Sequence, residues 1–246
     1  MTIMKKTVAA IGLVLLTACS GGGDLVEQIQ KSAESVLGEG APAVLSDTDI
    51  AAGLKEALNK GTGIVVANLG KKGGFATDQT IRIPLPQTLV KAKGYADKVG
   101  LGDHFVELED RLNAAAELAT PKAKALFVDA IKDMSLGDAR QILQGSDDAA
   151  TRYFEGKMSD RLRTEMEPIV ASSLDQVGAV RSFNSLLEAY KKIPFAPEVE
   201  ADLTGHVVSG GVDGIFHYVA EEEKAIRDNP AARTTELLQR VFGAQE

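Results

Sequence analysis

Apolar residues recur at intervals of three and four along most of the chain, which is the period of helices that bury one face. Between residues 24 and 37, Leu25, Ile29, Ala33 and Val36 follow this spacing. The sequence GEGAP comes next and ends the predicted helix, because glycine and proline interrupt helical backbone. The pattern therefore predicts a helix soon after the N-terminal region.

A second helix is predicted to begin after Ser46 and to end at Gly70. Asp49 follows Ser46 by three residues, so the two side chains can form a capping box at the helix start. The residues that then share one apolar face are Ile50, Leu54, Ala57 and Leu58.

The helical period stops between about residues 75 and 86, in the sequence FATDQTIRIPLP. Ile81 and Ile83 alternate with a polar residue, while Pro84 and Pro86 are incompatible with a helix interior. This stretch is predicted to be an extended crossing segment or an edge strand. It is the only part of the chain with a convincing extended pattern.

The remaining chain is predicted to be helical to its end. Thr120 before Pro121 is typical of a helix start, and Ser135, Ser146 and Ser159 are predicted N-caps. The predicted helices are 87–100, 103–119, 122–134, 136–145, 147–158, 160–178, 179–193, 203–228 and 232–243. We therefore predict an all-α fold, a multi-helix bundle forming a single domain over 24–246, with one short Pro-containing extended segment.

The first 18 residues have the features of a secretory signal peptide. Lys5 and Lys6 precede ten apolar residues at 7–16, and a permanent membrane span needs about 20. The region 16–19 reads Leu-Thr-Ala-Cys, which resembles the bacterial lipobox. This resemblance implies cleavage before Cys19 and acylation of that residue; the alternative is an ordinary signal peptide with a chance cysteine.

The residues after Cys19 fit an anchored protein. Residues 21–23 are glycines and would form a flexible tether. Several acyl chains anchor a protein stably, whereas one chain binds membranes only marginally. Ser20 resembles the residue found after the cysteine in outer-membrane lipoproteins. The expected location is thus the bacterial cell envelope, on the outer membrane and facing the periplasm.

Composition narrows the classes of partner. Residues 1–18 contain two of the 27 cationic residues and none of the 35 acids, so the mature chain carries a net charge of −10. That charge argues against nucleic acid and against a broad electrostatic hold on anionic lipid. Cys19 is the only cysteine, so no intramolecular disulfide can form. The expected partners are the membrane, through acyl chains on Cys19, and an envelope protein.

One constellation could hold a metal ion. Asp213, His217 and Glu221 are spaced four apart, and with Lys224 they fall within about 80° on one helix face. The alternative is an ordinary solvated face, because the apolar residues of the same segment lie opposite. The three candidate ligands span about 12 Å along the helix, too far for all to reach one ion. We favour the solvated face and expect no cofactor.

Other polar clusters have simple structural interpretations. Asp147 and Asp148 would complement the dipole at a helix start, and Asp129 and Asp133 fit a solvated face. Glycines at 70–74 could bind an anion through backbone amides, although a polar turn is the simpler interpretation. The chain contains no P-loop, zincin or nucleophile-elbow motif, and no catalytic residue is predicted.

Several of these stretches resemble a family of bacterial lipoproteins and secreted proteins, the domain of unknown function 4197. The resemblance covers roughly Ser46 to Gly243. Its most specific parts are FVDAIKDMSLGDARQILQGSDDAATRYF and DGIFHYVAEEEKAIRDNPAARTTELLQRVFG. It implies an all-helical envelope domain and carries over no catalytic residue.

The sequence favours a non-enzymatic interaction or envelope-maintenance module. One alternative is a carrier of an apolar ligand, which would need a sizeable apolar cavity between its helices. Another is a hydrolase or metal enzyme, which would need convergent polar groups with perturbed pKa values in one cleft.

Overall fold

The computed structural model describes residues 46–243. The predicted signal peptide, Cys19, the glycine tether and the helix predicted at 24–37 lie outside the described residues. Within them there are eight α-helices and no strand, so the all-α prediction is confirmed. The helices are α1 (Asp47–Leu69), α2 (Gln87–Ala96), α3 (Gly102–Asp133), α4 (Leu136–Leu143), α5 (Ala149–Gln176), α6 (Ala179–Tyr190), α7 (Leu203–Asp228) and α8 (Glu236–Gly243), with short 3-10 helices at Asp97–Val99 and Pro230–Ala232.

Two helices begin with the capping boxes that local sequence can build. The hydroxyl of Ser46 accepts the N–H of Asp49 at 3.1 Å, and the Asp49 carboxylate accepts the N–H of Ser46 in return. Ser135 and Asp138 form the same pair at the start of α4. α1 ends at Gly70, as predicted. These boundaries follow from neighbouring residues alone.

The predicted helix start at Thr120–Pro121 is wrong, because α3 runs through both residues without a break. The Thr120 hydroxyl donates to the carbonyl of Ala116 at 2.7 Å, inside the helix. Ala123 and Phe127 continue the buried face beyond the proline. A proline removes one helical hydrogen bond, and packing of the face on both sides outweighs that loss here.

The predicted N-cap at Ser159 is also wrong, since α5 is continuous from Ala149 to Gln176. Ser146 does not cap this helix either, because the N-cap residue is Asp148. Buried residues at intervals of four cross the predicted boundary and hold the helix together: Phe154, Met158, Leu162 and Met166.

The segment between α1 and α2 is non-helical, but it is not an edge strand. Residues 71–81 form a series of turns with one break at residue 78, and residues 82–86 have no regular structure. The described residues contain no strand with which it could pair. Ile81, Ile83 and Leu85 are nevertheless buried, so the segment contributes to the core.

The core has its centre where α3, α5 and α7 meet. Phe127 of α3 contacts Phe154 and Phe216 edge-on, with ring centroids 6.4 and 5.6 Å apart. α1 packs against α3 and α7, while α8 packs against α1. The buried apolar residues form one cluster between Ala51 and Phe242. No helix among residues 46–243 is long and apolar enough to cross a bilayer.

Candidate functional site

The three predicted metal candidates lie on the exposed face of α7. Asp213 forms an ion pair with Arg163 of α5 at 2.7 Å. The His217 ring contacts Tyr218 edge-on at 5.1 Å, and Glu221 is exposed. Among residues 46–243, no group of three His, Cys, Asp or Glu side chains is arranged to hold a metal ion. The structure therefore does not bring Asp213, His217 and Glu221 together around one point.

The neighbouring charges have local partners. Lys224 binds Asp228 at 2.8 Å and Asp147 at 3.4 Å, and its hydrogen bond to Asp228 is the main cause of its raised pKa. Ser146 donates to Asp148 at 2.7 Å, and this bond is the main cause of the lowered pKa of that carboxyl group. Asp147 and Asp148 lie at the junction before α5, where they bind neighbouring side chains and do not converge on a cleft.

The glycine-rich turn after α1 does bind an anion, and that anion belongs to the protein. The buried carboxylate of Glu117 accepts backbone N–H groups from Gly73, Phe75 and Ala76, each at 3.0 Å. The turn predicted at 70–74 thus directs one amide towards α3, and the two residues that follow it supply the others. A buried carboxylate needs such donors, because its desolvation is otherwise costly.

Further polar residues of α3 hold the rest of this segment. Glu109, Asn113 and Glu117 are spaced four apart and therefore share one face of the helix. Glu109 accepts from Arg82 Nε at 2.9 Å and from the N–H of Leu85 at 3.2 Å. These side chains supply the hydrogen-bond partners that an extended segment would otherwise obtain from a neighbouring strand.

α7 holds the same segment from another side. His206 Nε2 lies 2.6 Å from the carbonyl oxygen of Pro84 and donates to it. The Tyr218 hydroxyl donates to the carboxylate of Asp78. This bond is the main cause of the lowered pKa of Asp78 and of the raised pKa of Tyr218. The polar groups at this junction therefore fix the backbone of residues 70–86.

A buried ion pair joins α4 to α5. Glu223 accepts the N–H groups of Ala150 and Thr151, both at 2.9 Å, at the first turn of α5. Arg227 donates to Glu223 at 2.8 Å and to the carbonyl of Ile142 near the end of α4 at 2.9 Å. One pair of α7 side chains thereby satisfies the ends of two helices.

A surface groove between α3, α4 and α5 is the candidate binding site, and we call it the Tyr153 groove. Its volume is about 300 Å³. The apolar lining residues are Leu126, Ala130, Met158 and Leu162, and the polar ones are Asp133, Asp138, Tyr153, Lys157 and Arg161. An apolar floor with a few polar groups is the usual composition of a binding site.

The polar groups of the Tyr153 groove suit binding better than acid–base chemistry. The Tyr153 hydroxyl donates to Asp138 at 3.2 Å. Burial is the main cause of the raised pKa of Tyr153, and hydrogen bonds from Ser135 are the main cause of the lowered pKa of Asp138. Lys157 lies above the Tyr153 ring, 5.8 Å from its centroid. At neutral pH Asp138 is therefore ionised and the Tyr153 phenol is neutral.

Every clear pKa shift among the described residues moves the pKa of the group further from neutral pH. The affected aspartates have lowered pKa values, while the affected tyrosines, arginines and lysine have raised ones. A general acid or base works best with a pKa near the operating pH. All of these shifts move the groups away from neutrality.

Two apolar cavities between the helices are very small. One lies between α1, α7 and α8 with a volume of about 20 Å³, and the other lies between α3, α5 and α7 with about 10 Å³. Such volumes hold about one water molecule at most. Neither cavity has room for an apolar ligand.

Sequence reasoning missed the buried polar residues Asn113, Glu117 and Glu223. A signal for them exists in the helical spacing. Glu223 follows buried Val219 by four residues and precedes buried Ile226 by three, so it falls on the apolar face of α7. A polar residue at such a position is expected to bind buried polar groups. Its partners on other helices are not visible from that spacing.

Comparison with known proteins identifies a family but no characterised relative. Residues 44–243 match the family model described as a protein of unknown function, DUF4197. No curated protein and no solved structure matches the chain. The match agrees with the resemblance drawn from the sequence over Ser46 to Gly243.

Proposed function

The chain belongs to the family of proteins of unknown function DUF4197, and from that premise we propose that it is a lipid-anchored bacterial envelope protein. Its folded domain is proposed to act as a non-enzymatic interaction or envelope-maintenance module. The proposed location is the outer membrane, with the domain facing the periplasm. The proposed partners are the membrane, through acyl chains on Cys19, and an envelope protein.

The N-terminal sequence supports the anchor. Leu16, Thr17, Ala18 and Cys19 resemble a lipobox, and they follow a basic start and a short apolar run. The glycines at 21–23 would separate the anchor from the folded domain.

One observation carries the non-enzymatic part of the proposal: among residues 46–243, the buried carboxylates and the buried amide of Asn113 bind the protein's own backbone. The carboxylates of Glu117 and Glu223 are occupied by backbone amides. Asn113 binds the backbone of the extended segment. In addition, the clear pKa shifts move the pKa values of the affected groups further from neutral pH. This leaves the surface, and the Tyr153 groove in particular, as the place where a partner can bind.

The alternatives have less support. A carrier needs a sizeable apolar cavity, whereas the two apolar cavities described between the helices have volumes of about 20 and 10 Å³. A metal enzyme needs converging ligands, and Asp213, His217 and Glu221 point outward along α7. We therefore rank the interaction module first.

Metabolic labelling tests the anchor. Cells that express the full chain are grown with a fatty-acid analogue, and the purified protein is assayed for the label. We expect label on the wild type and none on Cys19→Ala. Equal labelling of the two proteins would show that Cys19 is not the attachment point and that the signal peptide is of the ordinary kind.

Site-specific photo-crosslinking tests the interaction module. A photoreactive amino acid replaces Lys157 in the Tyr153 groove, and in a matched control it replaces Lys122, an exposed lysine of α3. We expect a discrete crosslink to one envelope protein from position 157 and none from position 122. Crosslinks of equal pattern and intensity from both positions would count against the groove as a specific site.

A further inference from the structure

The two walls of the Tyr153 groove carry opposite charges. The wall formed by α3 and α4 contributes two carboxylates, those of Asp133 and Asp138. The wall formed by α5 contributes two cations, Lys157 and Arg161. These cations are four residues apart, so they share one face of α5 and lie about 6 Å apart along its axis. The groove is therefore balanced in charge as a whole but polarised across its width.

The floor between the two walls is apolar. Met158 and Leu162 of α5 are buried, and Leu126 and Ala130 of α3 are partly buried against the same core. Asp133 follows Ala130 by three residues, so its carboxylate and this part of the floor share one face of α3. A ligand with an apolar group gains free energy when it covers such a floor and removes it from water.

The charged groups of the groove have unused hydrogen-bonding capacity. Within residues 46–243, Asp133 forms no hydrogen bond or ion pair, and Lys157 contacts only the face of the Tyr153 ring. Arg161 donates through Nε to Glu165 at 2.8 Å, while its two terminal nitrogens form no hydrogen bond in the same part of the chain. Donors on one wall and an acceptor on the other therefore remain available to a ligand.

The walls are close enough for their charges to influence each other. The hydrogen bond to Glu165 is the main cause of the raised pKa of Arg161, and the negative charge of Asp133 adds to it. Burial is the main cause of the raised pKa of Tyr153, and Asp138 and Asp133 add to that shift. Yet no ion pair within residues 46–243 joins an acid that lines the groove to a cation that lines it. The gap between the walls can thus admit a ligand that pairs with both.

We propose that the Tyr153 groove recognises a peptide unit in which an apolar side chain lies between a carboxylate and an ammonium or guanidinium group. The carboxylate accepts hydrogen bonds from Lys157 and from the terminal nitrogens of Arg161. The cationic group pairs with Asp133, and the apolar side chain covers the floor. The groove volume of about 300 Å³ is at the lower end of the range for ligand pockets, which suits a unit of about the size of a dipeptide.

Ligands with charge of one sign fit this groove less well. An anion that binds Lys157 and Arg161 also meets the carboxylates of Asp133 and Asp138, and a cation that binds these acids meets the two cations. Juxtaposed like charges disfavour a partner, whereas complementary ones favour it. A ligand with both charges satisfies the two walls together.

This inference rests on the proposed function, because it names the chemistry that a partner presents to the same groove. A free peptide end supplies the two charges from its termini. A segment within a partner protein supplies them from an acidic and a basic side chain. The two sources share one chemistry and are separated by the choice of probe.

Saturation-transfer NMR titrations of the full chain, purified in detergent, test the proposal with short peptides. Leu-Leu with free termini has all three groups, N-acetyl-Leu-Leu lacks the ammonium, Leu-Leu-amide lacks the carboxylate, and Gly-Gly lacks the apolar side chains. We expect Leu-Leu to bind, each blocked form to bind about fivefold more weakly, and Gly-Gly not to bind. N-acetyl-Lys-Leu-Glu-amide carries its charges on side chains. If it binds more tightly than Leu-Leu, the unit is a segment within a partner; if more weakly, the unit is a peptide end.

Variants of the groove assign each charge to its wall. Lys157→Gln with Arg161→Gln should remove the difference between Leu-Leu and Leu-Leu-amide. Asp133→Asn should remove the difference between Leu-Leu and N-acetyl-Leu-Leu. The matched controls should keep both differences, because their residues are exposed and do not line the groove: Lys122→Gln with Lys124→Gln, and Asp175→Asn. Thermal melts of all these variants should match that of the wild type, as for most surface substitutions.

Equal binding of the free and blocked peptides, or equal effects in the control variants, would overturn the proposal. If Leu-Leu does not bind while position 157 still crosslinks to one envelope protein, the peptide chemistry is refuted and the interaction module stands. If the peptides bind as expected but no such crosslink forms, the interaction module fails and the peptide site stands.

Discussion

Asn113 binds both backbone polar groups of Ile83: its Oδ1 accepts the Ile83 N–H at 2.9 Å, and its Nδ2 donates to the Ile83 carbonyl at 2.8 Å. A side chain thus supplies the pairing that a neighbouring strand gives in a sheet. This explains how an extended segment can be buried in a protein whose described residues form no strand. The segment is held as a structural part of the bundle between α3 and α7.

Replacing Asn113 tests that role. Asn113→Ala leaves the N–H and the carbonyl of Ile83 buried without partners, and we expect a loss of about 3 kcal/mol in the free energy of unfolding. Asn59→Ala is the matched control, since Asn59 is exposed and donates to the carbonyl of Lys55 at 2.8 Å, within its own helix. It should change stability by about 0.5 kcal/mol or less. Urea unfolding measures both, and equal losses would contradict the assignment.

Glycines of α7 allow the segment to approach the helix closely. A Cβ at Gly214 would lie 2.9 Å from Phe75 Cε1, and Phe75 is fully buried. We expect Gly214→Ala to destabilise the protein by about 1–3 kcal/mol through overpacking, despite the better helix propensity of alanine. At Gly63, within α1, no atom of the described residues lies within 4 Å of the new Cβ, apart from the adjacent residues and the backbone of the helix itself.

Gly63→Ala is therefore the opposite case, and we expect it to stabilise the protein by about 0.5–1 kcal/mol. Thermal and urea unfolding of the two variants measure the contrast. If Gly214→Ala proved as stabilising as Gly63→Ala, the close contact between α7 and Phe75 would not constrain the fold.

The pair of Asp78 and Tyr218 predicts a dependence of stability on pH. The pKa of Asp78 lies below its ordinary value of 3.8. The main cause is the hydrogen bond from Tyr218, and the second is the hydrogen bond from the N–H of Thr80. A carboxyl group with a lowered folded-state pKa stabilises the protein above its unfolded-state pKa, and this contribution is lost as the pH falls through the folded-state value.

Tyr218→Phe should therefore be less stable than the wild type at pH 7, and the difference should shrink as the pH falls below 3.8. Urea unfolding at a series of pH values measures this difference. Tyr95→Phe is the control, because its ring is exposed and its contact with Lys98 involves the ring face. A difference for Tyr218→Phe that is constant from pH 7 to the acid limit would refute the coupling.

Local sequence predicted the features that depend on neighbouring residues. Ser46 and Asp49 form their capping box within one helical turn, so no knowledge of the rest of the fold was needed. Thr120–Pro121 and Ser159 also resemble helix starts, and both lie inside long helices. At both places the local sequence permits either a helix start or a continuous helix, and the packing of α3 against α5 favours the continuous helix. Propensity is a weak prior against such tertiary contacts.

The candidate site was less predictable than the fold. The Tyr153 groove combines residues of α3, α4 and α5, whose packing is not encoded in any one spacing. Of the three amides around Glu117, only that of Gly73 lies in the glycine-rich turn at 70–74, and the anion comes from a residue more than 40 positions away. A motif within one segment can thus indicate the chemistry and still leave the partner unknown.

His217→Gln tests the remaining feature that could have been a metal site. His217 is exposed on α7, and Asp213, four residues earlier, already pairs with Arg163 at 2.7 Å. Glu221 lies about 12 Å along the helix from Asp213, so the three side chains do not converge on one ion. We expect the purified domain to contain no stoichiometric zinc or iron, and His217→Gln to change stability by about 0.5 kcal/mol. Elemental analysis and thermal melts measure these two quantities. Bound metal that is lost in His217→Gln, together with a large fall in melting temperature, would establish this face as a site after all.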